Sequence, residues 1–323
     1  MITCEEIYDL HTTGALESAL CEAYREIPLD SRNSMRKNDT PLHMACAFVD
    51  ENAVRILLER GADVNVRNDD GDTPLCVLAK RKCCGKETTI AGIAGLLVSK
   101  EARVPRSGIN TTALIEAVGN RHFLMADILL MSGCRIDSTN SNGNNVLHVI
   151  CQSAGDIAYD IKRTKERIAD FSERWYSEKD KREAYENMEY LEEADRQCFL
   201  TAKRILENGQ IDTEDKNNIG KTALDIAWET GARRIGALLS GQDPDTDELS
   251  ALIGGLDVFQ ALWYKDMIAL DAILRSGTEL QTVCEDKKLY DFKGRSPLAC
   301  ALLWDNAAVS YTHLRAHETR HDL

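Results

Sequence analysis

Near the C-terminus, His317-Glu-Thr-Arg-His321 has a spacing that could do chemistry. On a helix, imidazoles four residues apart share a face and can hold zinc, with Glu318 placed as a general base for hydrolysis. His313 would add a third imidazole one turn earlier. Three features weigh against a zinc peptidase. Leu323 is the last residue, so no further ligand follows. A repeating pattern that runs through the chain stops abruptly after Ala308. The segment from Val309 to Thr319 also reads like a translated transposase adapter from a sequencing library. The expectation is a non-native tail at 309–323 on a fragmentary metagenomic gene, and no metal site.

Other reactive groups give weaker signals. Eleven cysteines are spread along the chain without a CxxC pair, so a zinc ribbon is unsupported. Cys83 and Cys84 are adjacent and could form a strained redox pair. The simpler reading of all eleven is reduced thiols acting as small buried side chains in a cytoplasmic protein. No Gly-rich phosphate loop, nucleophile elbow or paired carboxylates stand out. No enzyme activity and no cofactor are expected.

The elements that position any site must come from the composition and the repeat. In 323 residues, hydrophobic side chains make up 43% and charged ones 28%, enough apolar material for a packed core. The net charge of −14 repels phosphate backbones, which argues against nucleic-acid partners. No apolar run approaches the length of a membrane span, and the start lacks the pattern of a signal peptide. A cytoplasmic location follows, although a signal-independent secreted effector would have the same sequence properties.

Six segments align: Thr40-Pro-Leu-His-Met-Ala, Thr73-Pro-Leu-Cys-Val-Leu, Thr112-Ala-Leu-Ile-Glu-Ala, Asn145-Val-Leu-His-Val-Ile, Thr222-Ala-Leu-Asp-Ile-Ala and Ser296-Pro-Leu-Ala-Cys-Ala. Each opens on a residue whose side-chain oxygen can cap a helix, and three place Pro at the first helical position. Leu follows two residues after every cap. Apolar stripes at helical spacing then run to Gly61, Gly133, Gly209 and Gly277, where a left-handed stop suits glycine. The best copies repeat every 33 residues.

Thr40 to Asn65, ending Gly61-Ala-Asp-Val-Asn65, followed by Asp69-Asp-Gly-Asp-Thr73, resembles the ankyrin repeat. The resemblance covers about residues 38–308, with a degenerate unit near Leu256–Gly277 and a worn N-terminal capping unit within 1–37. It implies an all-α solenoid of helix pairs joined by finger loops. Pro is lost at Ala113, Val146 and Ala223, and the motif's His survives only at His43 and His148, where a structural hydrogen bond within the turn is expected.

Between Asn145 and Thr222 lie 44 residues more than one unit requires. Of 52 residues at 156–207, 25 are charged, yet Ile157, Ile161, Ile168, Phe171 and Trp175, then Ala184, Met188, Leu191, Cys198 and Ile205, keep gaps of three, four or seven. That is a narrow seam along two helices. An antiparallel hairpin is expected, inserted at about 155–201, with helices near 156–176 and 181–207 and a turn at Tyr176–Lys181. It is either a self-packed, solvated pair or an arm for dimerisation or partner docking.

The ankyrin resemblance further implies contact positions just before each cap and seven or eight residues after it. These are Arg67, Asp69, Asp70, Asp72, Lys80 and Arg81; Asn142 and Asn144; Lys216, Ile219 and Lys221; and Tyr290, Phe292, Arg295 and Trp304. The aromatic three would be either interface anchors or core against a further repeat. The expected function is non-catalytic binding of another protein through the concave face, with or without the arm. No nucleic acid, membrane or small-molecule substrate is expected. The alternative is the targeting or regulatory half of an enzyme whose catalytic region lies downstream.

Overall fold

The computed structural model describes residues 2–82, 85–100, 102, 112–172, 176–209, 211–242 and 256–263, with 270, 273, 284, 289, 292–297, 299 and 300. The tail at 309–323, with its HExxH spacing, lies outside them, as do Cys83 and Cys84. The described elements are helices: α1 (Cys4–Thr13), α2 (Glu17–Glu26), α3 (Pro41–Phe48), α4 (Glu51–Glu59), α5 (Pro74–Ala79), α6 (Glu87–Ser99), α7 (Ala113–Gly119) and α8 (Phe123–Met131). They continue with α9 (Val146–Ala169), α10 (Glu178–Glu207), α11 (Ala223–Thr230), α12 (Arg233–Leu239) and α13 (Val258–Trp263).

All six caps act as the sequence implies. The side chains of Thr40, Thr73, Thr112, Asn145 and Thr222 accept from the backbone N–H three residues on. Ser296 Oγ accepts from the Ala299 N–H at 3.3 Å. A seventh start was hidden by the degenerate unit. Asp257 accepts from the Gln260 N–H at 2.7 Å, and the Gln260 side chain accepts from the Asp257 N–H at 3.0 Å. Such a reciprocal pair satisfies two donors that a helix start leaves open.

The helices form two stacked rows. First helices pack in the order α1, α3, α5, α7, α9, α11, and second helices in the order α2, α4, α6, α8, α10, α12. The Leu that follows four of the caps enters the shared core, since Leu42, Leu75, Leu114 and Leu147 are buried, whereas Leu224 behind Thr222 is only partly so. One continuous apolar cluster runs from Cys4 to Ile235. A second, from Leu256 to Cys300, has Trp228 of α11 packed against it. The pair α1–α2 sits on α3–α4 as a repeat would, with its own cap at Thr3.

The inserted residues lengthen two helices instead of filling a loop. α9 runs unbroken from its cap at Asn145 to Ala169, followed by a 3-10 turn over Asp170–Ser172. α10 starts at Glu178 because Ser177 and Asp180 form a capping box, so the second arm helix starts earlier than its apolar spacing suggested, and the first ends earlier, at Ala169. The arm helices pack on each other through Ile157, Ala184, Leu191, Ala194 and Cys198, all buried. The last turns of α10 then serve as a repeat's second helix. There Thr201 donates to Asp127 of α8 at 3.0 Å, and Arg234 of α12 pairs with Asp195 at 2.9 Å.

Gly155 lets α9 run past the end of α11. A Cβ there would lie 2.1 Å from the Thr230 Cβ and 3.0 Å from the Thr230 carbonyl oxygen, closer than atoms can pack. Gly155→Ala should lower stability by about 1–3 kcal/mol from overpacking, although alanine favours a helix by about 1 kcal/mol over glycine. Urea unfolding followed by circular dichroism measures the difference. Unchanged stability would mean that α11 shifts freely along α9.

Candidate functional site: the finger surface

The fingers are built on a recurring asparagine. Asn68, Asn140 and Asn217 each stand five residues before a cap. Each uses Oδ1 to accept two backbone N–H groups of its own turn: Asp70 and Asp72, Asn142 and Asn144, Ile219 and Lys221, all at 3.0–3.1 Å. The side chain thus replaces a strand ladder as the organiser of a tight turn. Nδ2 then joins neighbouring repeats: Asn68 donates to Asp39 at 2.8 Å and Asn217 donates to Asn144 at 2.9 Å. Backbone bonds follow the same joints, from the Asp69 N–H to the Lys37 carbonyl and from the Asn218 N–H to the Asn142 carbonyl.

The two motif histidines reach further than their own turns. Nε2 of His43 lies 3.0 Å from the Asp72 carbonyl, and Nε2 of His148 lies 3.0 Å from the Lys221 carbonyl, in each case on the next finger. A carbonyl only accepts, so Nε2 of His43 carries the proton and Nδ1 is left to accept from the Thr40 N–H and hydroxyl. Neither histidine approaches a metal set. Among the described residues, no group of three His, Cys, Asp or Glu could hold an ion.

The expected contact residues divide by exposure. Arg67, Asp69, Arg81, Asn142, Lys216, Ile219 and Arg295 are exposed, and Asp70, Lys80, Asn144 and Lys221 are partly so. Several are already engaged within the chain. Asp70 pairs with Lys37, Lys221 with Glu229, and Asp69 accepts from Asn38. Asp72 is a correction: it is 3% exposed and its carboxylate is held by Lys80 at 2.6 Å, so it fixes the finger base. Phe292 is another. It is fully buried, edge-on to Trp263 at 5.3 Å, and belongs to the second core. Tyr290 and Trp304 lie outside the described residues.

Met35 escaped the sequence reading. Its N–H bonds to Asn33 Oδ1, which places it at the tip position that Asp70, Asn142 and Ile219 hold on later fingers. The first finger is two residues longer between Asn33 and Thr40, which hid the alignment. Met35 is 85% exposed and Ile219 73%, so the row of tips carries an apolar group on two separate fingers.

The thiols offer no chemistry here. Every described cysteine is free, and all but Cys21 are buried. Burial pushes Cys4 up to about 12 and Cys134 to about 11, so both stay protonated and unreactive at neutral pH.

Residues 28–76 match a family model described as ankyrin repeats in many copies. A stretch of 68 residues is 34% identical to the ankyrin repeat-containing protein P1E11.10 of Schizosaccharomyces pombe, covering 19% of this chain and 33% of that protein. A longer stretch of 201 residues is 26% identical to phosphocholine transferase AnkX of Legionella pneumophila, covering 58% of this chain and 20% of that protein. The chain therefore matches a third or less of the length of either relative. With the capped helix pairs and stacked fingers, these matches identify an ankyrin repeat protein with an all-α fold.

Burial holds the pKa of His43 below its ordinary value, against the opposite pull of the Asp72 carbonyl and Asp39; burial lowers His11 and His122 as well. The unfolded imidazole, near 6.5, takes up its proton before the folded one does. Stability should be full above about pH 6.5 and fall as pH drops below it. His43→Gln should flatten that slope while lowering stability at pH 7.5, where it loses the bond to the next finger. Melting temperature measured from pH 7.5 to 5 tests both, and an unchanged slope would locate the titration elsewhere.

Proposed function

We propose that the chain is a non-catalytic interaction scaffold that binds another protein through its fingers and first helices. The observation that supports this is the row of finger tips. Polar bonds hold the backbone there, leaving Met35 and Ile219 exposed on two separate fingers, with Arg67, Lys216 and Arg295 exposed elsewhere on the fingers. Exposed apolar groups and arginines are what protein interfaces draw on, and a preset surface loses little entropy on binding. Free, buried thiols fit a cytoplasmic site of action. No described helix is long and apolar enough to cross a membrane.

A second reading is supported by the likeness to a phosphocholine transferase over 58% of the chain. In it, the repeats are the targeting half of a larger enzyme. Sequencing the source locus across the codon for Ala308 separates the two. Further 33-residue units would favour the scaffold, and a change of composition would favour the enzyme.

A photo-crosslinking residue at position 35 or 219 should capture one and the same protein from the source cell. The equivalent probe at Met131, also exposed but away from the fingers, should not. Ile219→Asp should reduce that capture at least tenfold without moving the melting temperature. Equal capture from position 131, or capture indifferent to Ile219→Asp, would remove the finger surface from consideration.

A further inference from the structure

The arm distributes its charge unevenly between its two helices. Asn187 of α10 donates to Thr164 of α9 at 3.1 Å, which sets these residues at one height. Around that height, residues 158–168 of α9 carry Lys162, Arg163, Lys165 and Arg167 with two acids, Asp160 and Glu166. The stretch of α10 across from it, residues 183–193, carries Glu183, Glu186, Glu189, Glu192 and Glu193 and no base. A basic helix segment thus lies beside an acidic one.

The two sets do not neutralise each other. Lys162, Arg163, Lys165, Glu186, Glu189 and Glu192 are all exposed, and none forms an ion pair among the described residues. The remaining charges turn to their own helices or their bases: Glu193 pairs with Arg196 at 2.6 Å, Glu183 with Lys179 at 3.7 Å, and Arg121 holds Asp160 at 2.9 Å.

The apolar seam is also incomplete. Ile161, Ile168, Phe171 and Met188 are only half-buried between the two helices, while Tyr159 is 66% exposed and Tyr185 55%. Two helices alone cannot enclose such a seam, whereas four can.

We propose that the arm binds a second copy of this chain, two hairpins closing into a four-helix bundle about a twofold axis parallel to the arm. Such an axis sets each α9 beside the partner's α10 at the same height, because Thr164 and Asn187 already share it within one chain. The cations of one copy then face the glutamates of the other, twice over. The side-by-side alternative, α9 on α9, would set like charges together. The half-buried apolar groups supply affinity, and the charges select register and partner.

Sedimentation velocity on the full chain tests this independently of the finger surface. A dimer is expected at low salt, weakening as ionic strength rises from about 0.05 to 0.5 M and screening shortens. Lys162→Glu with Arg163→Glu and Lys165→Glu should weaken self-association at least tenfold, as should Glu186→Lys with Glu189→Lys. Mixing the two reversed variants should restore a dimer containing one of each, with unchanged far-ultraviolet dichroism confirming that both remain folded. A monomer at all concentrations would overturn the proposal. A dimer indifferent to charge reversal, or reversed variants that fail to pair on mixing, would overturn it equally.

Discussion

A buried asparagine amide holds this solenoid in register. Helix pairs stack because each leaves an apolar face that only a neighbour can cover, but apolar contact does not itself fix how far one pair slides along the next. The amides of Asn68 and Asn217 do. Each ties its own turn with Oδ1 and the preceding repeat with Nδ2, so the shape of a finger and its distance to its neighbour are set by one group. His43 and His148 add a second bond across the same joints. The exposed groups of the Asn68 and Asn217 fingers, Arg67, Asp69, Lys216 and Ile219 among them, sit on turns held by these joints.

Much of this was legible in the sequence. Thr or Asn caps, the Leu behind them and the closing glycines state local rules of helix initiation and termination, and those rules hold wherever the structure shows them. What was missed lay where the local pattern departs from the repeat or where a partner stands outside the motif. Asp257 starts a helix with a capping box, but Asp-Val-Phe-Gln lacks the Leu that marks the other units. Met35 was hidden because its finger is longer. The exposure of Asp72 was misjudged because the motif does not announce Lys80 as its partner, and Phe292, left open between anchor and core, is core against Trp263. The arm was legible as two helices. That α9 carries straight through from its repeat was not, since the apolar spacing alone does not say where a helix began.

The two cores divide the molecule unequally. The larger spans the repeats capped from Thr40 to Thr222 and absorbs the base of the arm, and the smaller gathers Leu256 to Cys300. Trp228, on the outer face of the last regular first helix, is the large side chain that belongs to one body and packs against the other. Repeat proteins are sums of neighbouring contacts, in which a disturbance fades within a unit or two.

The way the arm is grafted bears on how such a protein can change over generations. It leaves the stack as the continuation of α9 and returns as α10, and the repeats hold its base, where Tyr190 donates to Glu87 of α6 and Arg121 pairs with Asp160. Deleting or duplicating two turns from both helices together would keep the seam facing inward and leave the fingers untouched. The arm is therefore a ruler whose length selection can adjust in steps of about seven residues, while the body that carries it stays the same.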